Sequence, residues 1–105
     1  MSAPVLDREH LAQYTGGDAA LEAELFSLLE GQIQALTEVL ATTRDEGAWR
    51  TAAHTLKGAS RGVGAMALGD ACAEAELSPL DPAALAAVDD EARKARDAIA
   101  DAKAA

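Results

Sequence analysis

A histidine stands among cations at helical spacing in the segment AHTLKGASRGVG, residues 53–64. Lys57 follows His54 by one helical turn and Arg61 follows it by two, so the three side chains share one side of a helix. A neutral, exposed imidazole is a nucleophile, and an ammonium group is a good partner for the anion that such a nucleophile would acquire. The spacing therefore indicates chemistry in which a histidine accepts an anionic group.

A helical wheel for this segment separates an apolar stripe from a charged face. The stripe, which must face the core, comprises Trp49, Ala52, Leu56, Ala59 and Val63. His54 lies opposite the stripe, at about 180°. The residues within about 60° of His54 are Arg50, Lys57, Gly58 and Arg61. We predict that the exposed face carries a histidine, three cations and one residue without a side chain.

The alternative is an ordinary solvated face with an incidental histidine. Two observations argue against it: the cations cluster on one face of a net-acidic chain, and Gly58 occupies an exposed helical position. An interior helical glycine costs roughly 1 kcal/mol relative to alanine. Gly62 and Gly64 have a simpler explanation, because glycines commonly end a helix and make the turn that follows.

Five helical segments must position this face. Asp7 is a plausible N-cap for a short first helix, and Gly16 and Gly17 end it. The apolar periodicity predicts four further helices, over residues 18–44, 48–62, 65–77 and 82–103. We therefore predict an all-α fold: an antiparallel four-helix bundle with a short additional N-terminal helix across one end, forming a single domain over residues 1–105.

Composition supports a helical protein and limits its partners. Hydrophobic residues make up 50% of the chain but aromatic residues only 3%, so the core relies on alanine and leucine, which are strong helix formers. A net charge of −9 disfavours nucleic acid and anionic membranes as partners. Cys72 is the only cysteine, which excludes an internal disulfide and makes a cysteine-based metal site improbable. We expect no metal site.

We expect neither a membrane-spanning segment nor a signal peptide. No apolar run approaches the roughly 20 residues that span a membrane. The first residues, MSAPVLDREH, lack the basic start and apolar stretch of a signal peptide. We expect a monomeric protein of the cytoplasm.

The segment AHTLKGASRGVGAMALGDAC, residues 53–72, resembles the signature of histidine-containing phosphotransfer (HPt) domains. That signature is a histidine, a lysine three residues later, a glycine next, small residues, an apolar–Gly–Ala step and a further helix with a leucine and often a cysteine. The segment GGDAALEAELFSLL, residues 16–29, more weakly resembles the start of the family's long second helix. Ala75 departs from the family, which often has a larger apolar residue there.

The resemblance implies a function for three residues of the charged face. His54 would accept a phosphoryl group from a receiver-domain aspartate of a response regulator and pass it to another receiver's aspartate. Lys57 would steady the phosphoryl oxygens, and Gly58 would let the partner approach, because in-line transfer needs reacting atoms about 3 Å apart. Apart from the resemblance, we expect Arg50 and Arg61, on the same face, to contribute to docking. The receiver would bring Mg²⁺, so the domain itself would need no cofactor.

Three functions remain open at this point. The first is a phosphorelay carrier without kinase activity of its own, because the chain carries no Gly-rich nucleotide motif. The second is a histidine-bearing fragment of a histidine kinase, and a hybrid histidine kinase is also a possible partner of the carrier. The third is an interaction adaptor whose histidine is idle. The sequence favours a free-standing protein, although part of a longer chain would look similar.

Overall fold

The computed structural model describes residues 5–104 and contains five α-helices in that part of the chain. They are α1 (Arg8–Thr15), α2 (Ala19–Thr42), α3 (Glu46–Gly62), α4 (Met66–Leu77) and α5 (Pro82–Ala104). No strand occurs within residues 5–104, so the all-α prediction is confirmed for them. None of these helices is long and apolar enough to cross a membrane.

Aspartate side chains cap four of the helices, including α5, where Asp81 accepts a hydrogen bond of 2.9 Å from the backbone N–H of Ala83. Asp7 accepts a hydrogen bond from the backbone N–H of His10, and Asp18 accepts two from the first turn of α2. Asp45 accepts one from Ala48, so α3 begins at Glu46, two residues before the predicted start. The α2 helix ends at Thr42 rather than at residue 44.

The four longer helices enclose one core. The α3 helix packs against α2 and α4, α5 also packs against α2 and α4, and the short α1 contacts α2. The core side chains come from every helix and include Leu11, Phe26, Leu29, Ile33, Trp49, Leu56, Leu68, Cys72, Val88 and Ile99. Trp49 also forms a hydrogen bond between two helices, because its indole N–H donates to the backbone carbonyl of Ala75 at 2.7 Å. The start of α3 is thereby fixed beside the end of α4.

A tight turn joins α3 to α4 and sets how the two helices face each other. Gly64 has a φ of +90°, in the left-handed region that favours glycine. Its carbonyl oxygen accepts a hydrogen bond of 2.7 Å from the backbone N–H of Asp7. A Cβ at position 64 would lie 2.6 Å from the carbonyl oxygen of Asp7, so the turn requires glycine for space as well as for conformation.

Candidate functional site

His54 lies on the solvent side of α3, and its side chain is 68% exposed. On the opposite side of the helix, Trp49, Ala52 and Leu56 are buried in the core. Ala59 and Val63 continue that apolar stripe as half-buried residues packed against it. The helix therefore directs its histidine away from the core, and the orientation follows from the apolar periodicity of the sequence.

A carboxylate from the neighbouring helix faces His54, which the sequence analysis missed. Both oxygens of Glu76, on α4, lie 3.4 Å from His54 Nδ1. One of the same oxygens lies 2.7 Å from Lys57 Nζ. We call these three residues the His54–Lys57–Glu76 cluster. The helical wheel describes α3 in isolation, so it could not show a carboxylate that comes from α4.

Glu76 is the charged centre of this cluster. The hydrogen bond from Lys57 is the main cause that holds the pKa of Glu76 below its usual range, and the nearby charge of Lys57 and the contact with His54 act in the same direction. The carboxyl group is therefore ionised at neutral pH. The side chains of Lys57 and Glu76 are 22% and 27% exposed, so the pair is shielded more than His54 is.

The two arginines share the exposed face but are engaged by other acidic residues. Arg50 lies 3.7 Å from Glu46, one turn earlier on α3. Arg61 lies 3.3 Å from Asp70 of α4, and its side chain crosses Gly69 so closely that a Cβ there would lie 2.6 Å from Arg61 Cγ. The predicted group of three cations is thus a set of ion pairs.

Gly58 is exposed on α3, and packing within the chain does not account for it. A Cβ at this position would meet no atom within 4 Å in the part of the chain that the structure describes. Its backbone is ordinary helix, without a positive φ. The fold would therefore accept a side chain at position 58. Packing among residues 5–104 gives no reason for a glycine there.

Two polar residues near the cluster face the interior. Burial raises the pKa of the Cys72 thiol to about 12, and the thiol is fully buried. Ser60 is also fully buried, so its hydroxyl is not part of the exposed face of α3. Among residues 5–104, no group of three His, Cys, Asp or Glu side chains is arranged to hold a metal ion.

Comparison with protein families identifies the family of this chain. The family model of the Hpt domain matches residues 20–100, which is most of the chain. The chain belongs to the Hpt domain family. Hpt domains serve histidine phosphotransfer in phosphorelays, interact with receiver domains and are phosphotransfer carriers rather than kinases. Searches of curated proteins and of solved structures gave no significant match.

Proposed function

We propose that His54 accepts a phosphoryl group on Nε2 from a receiver-domain aspartyl phosphate and passes it to the aspartate of another receiver. The observation that carries this proposal is the exposed imidazole with Glu76 at Nδ1. A carboxylate at that distance favours the tautomer in which Nδ1 carries the proton and donates to Glu76. The lone pair of Nε2 is then free, on a side chain that is mostly exposed.

In the accepting step, Nε2 attacks the phosphorus atom of the aspartyl phosphate. The N–P bond forms as the acyl P–O bond breaks, and the receiver aspartate leaves as a carboxylate. The Nδ1 proton stays in place, so the ring becomes cationic when Nε2 is phosphorylated. Onward transfer reverses these changes at a second receiver, and each receiver supplies the Mg²⁺ that neutralises charge on the phosphoryl oxygens.

The neighbours of His54 have supporting roles in this proposal. The ammonium group of Lys57, one turn along α3, contacts the phosphoryl oxygens. Gly58 leaves room for the backbone and loops of the receiver beside His54, since reacting atoms must come within about 3 Å. Arg50 and Arg61 act at the edge of the docking surface, where charges affect the association rate and its salt dependence.

We further propose that residues 1–105 form one Hpt domain that acts as a monomer. The four longer helices form an antiparallel bundle in this proposal. Two contacts support it: Arg61, at the end of α3, pairs with Asp70, near the start of α4, and Lys103, at the end of α5, lies 2.6 Å from Glu30 on α2. The donor is the receiver of a separate response regulator or of a hybrid histidine kinase.

Labelling by a phosphorylated receiver tests the proposal. The wild type should take label in the presence of Mg²⁺, and His54→Gln should take none while keeping its helicity and melting temperature, because exposed substitutions usually change stability by about 0.5 kcal/mol or less. His10→Gln is the matched control, since it removes the other histidine, and it should be labelled normally.

The chemistry of the label provides a second criterion. A phosphoryl group on nitrogen is acid-labile and base-stable, whereas an acyl phosphate is labile to base. Label that persists in His54→Gln, or that base removes from the wild type, would contradict the assignment of His54. Incubation with ATP and an isolated kinase catalytic domain tests the kinase-fragment alternative in the same assay.

A further inference from the structure

Gly69 is a buried glycine within α4, and its backbone does not have the positive φ that would require glycine. Glycine inside a helix is less favourable than alanine, so its neighbours are informative. A Cβ at position 69 would lie 2.6 Å from Cγ, 3.2 Å from Nε and 3.4 Å from Cδ of Arg61. The missing side chain of Gly69 therefore makes room for the side chain of Arg61.

Arg61 is held differently from the other arginine of the exposed face. Its stem lies over Gly69, and its guanidinium group lies 3.3 Å from Asp70 of the same neighbouring helix. Arg50 lies 3.7 Å from Glu46 of its own helix, and its side chain is 54% exposed. An arginine loses much rotamer freedom when it is fixed. The fold has already restricted part of that freedom for Arg61.

Asp70 leaves Arg61 able to bind a second anion. The ion pair joins one guanidinium nitrogen to one carboxylate oxygen, between side chains that are 44% and 63% exposed. Ion pairs with this exposure contribute little to stability. The guanidinium group has five N–H donors in a planar fork that matches a carboxylate. The position of Arg61 therefore depends more on the space over Gly69 than on Asp70.

We propose that Gly69 is a positioning residue that holds Arg61 ready to bind a carboxylate on the surface of the docked receiver. This inference rests on the proposed function and deepens it. Arg61 follows His54 by about 10 Å along α3, and a standard interface covers a patch of about 16 Å radius on each partner. A receiver interface centred on His54 therefore covers Arg61. An arginine that is already ordered loses less entropy when the receiver binds.

The dissociation constant of a Mg²⁺-loaded receiver domain, measured by isothermal titration calorimetry, tests the role of Arg61. Arg61→Ala should raise this constant about three- to tenfold. The transfer rate at saturating receiver should stay within about twofold, because Arg61 does not contact the reacting atoms. Arg50→Ala removes the same charge from the same face, and as the matched control it should raise the constant less than about twofold.

A variant that keeps the charge separates the guanidinium fork from simple attraction. Arg61→Lys has a positive charge but lacks the planar fork. It should preserve the salt dependence of receiver binding and recover little of the affinity that Arg61→Ala loses. Full recovery by lysine would contradict the binding of a carboxylate by the fork.

A double-mutant cycle tests whether Gly69 acts through Arg61. Gly69→Ala should weaken receiver binding in the wild type, because the new Cβ displaces the stem of Arg61, and should leave it unchanged in the Arg61→Ala background. Melting temperatures report the same contact without a receiver. Gly69→Ala should raise the melting temperature by about 4 °C in the Arg61→Ala background, and by less where Arg61 is present.

The outcomes distinguish this inference from the proposed function. If the wild type binds the receiver but His54 takes no label, the proposed function fails, and the dissociation constants still test Arg61. The inference is overturned if Arg61→Ala binds like the wild type, if Arg50→Ala weakens binding equally, or if the cycle is additive. A Gly69→Ala variant that unfolds in both backgrounds would give Gly69 another packing role and also overturn it. A wild type that binds no receiver overturns both proposals.

Discussion

At the scale of single residues, the helical wheel predicted which side chains of α3 face solvent and which face the core. It did not predict their contacts with other helices. It placed His54 on the solvent side and Trp49 on the core side, as the structure does, because these orientations depend only on the period of one helix. Glu76 was missed because it lies 22 residues from His54 in sequence and reaches it from another helix. The pairing of Arg50 with Glu46 spans four residues of one helix and could have been predicted from the sequence.

Gly58 separates stability from function. As an exposed helical glycine with free space where a Cβ would lie, it should accept glutamine with a gain of up to about 1 kcal/mol in the free energy of unfolding. The new side chain would lie beside His54 and keep the receiver aspartate farther from the imidazole. A displacement of about 1 Å can lower the rate 100-fold. We expect Gly58→Gln to melt at the same temperature or higher and to transfer phosphoryl groups at least about tenfold more slowly.

Gly31→Gln provides the control for this comparison. Gly31 is also exposed, lies within α2 and has free space around a Cβ, so glutamine should stabilise it similarly. Transfer by Gly31→Gln should match the wild type. Full activity of Gly58→Gln would contradict the claim that Gly58 leaves room for the receiver. Strong destabilisation would show that the backbone needs glycine at position 58.

At the scale of elements, the sequence predicted the helices but offered no prediction of their mutual register. Caps and apolar periods are local signals, and the Asp7, Asp18 and Asp45 caps account for where three helices begin. The glycines of the sequence predicted the turn at Gly64, but the register between α3 and α4 also depends on packing between helices, which no local pattern encodes. The contacts of Glu76 therefore became visible only in the folded chain.

Even alanine, with the smallest side chain, should destabilise the turn at Gly64. Gly64→Ala places a Cβ against the backbone of Asp7 and forces alanine to a φ of +90°. The left-handed conformation alone costs roughly 1–2 kcal/mol, which lowers the melting temperature of a domain of this size by at least about 4 °C. Gly62→Ala, at the last residue of α3 with free space around a Cβ, should melt like the wild type or higher. Equal melting temperatures for the two variants would argue against this turn geometry, and thermal unfolding followed by circular dichroism measures both.

At the scale of the whole molecule, one core joins all five helices, and this makes the extent of the folded unit testable. Trp49 of α3 and Cys72 of α4 are both buried in that core. If it unfolds as one cooperative unit, probes on different helices must report the same transition. The prediction of a single domain over residues 1–105 depends on that cooperativity.

Cys72 reports directly on the opening of the core. Burial raises the pKa of its thiol to about 12, so at pH 8 the reactive thiolate is much rarer than in an unfolded chain. A thiol reagent should label the native protein very slowly, and labelling should accelerate over the same denaturant range in which Trp49 fluorescence and helical circular dichroism change. His54→Gln, whose substitution lies on the exposed face, should give the same three coincident transitions. Labelling of Cys72 at denaturant concentrations that leave fluorescence and helicity intact would mean that α4 opens separately, because a buried thiol reacts only where its surroundings come apart.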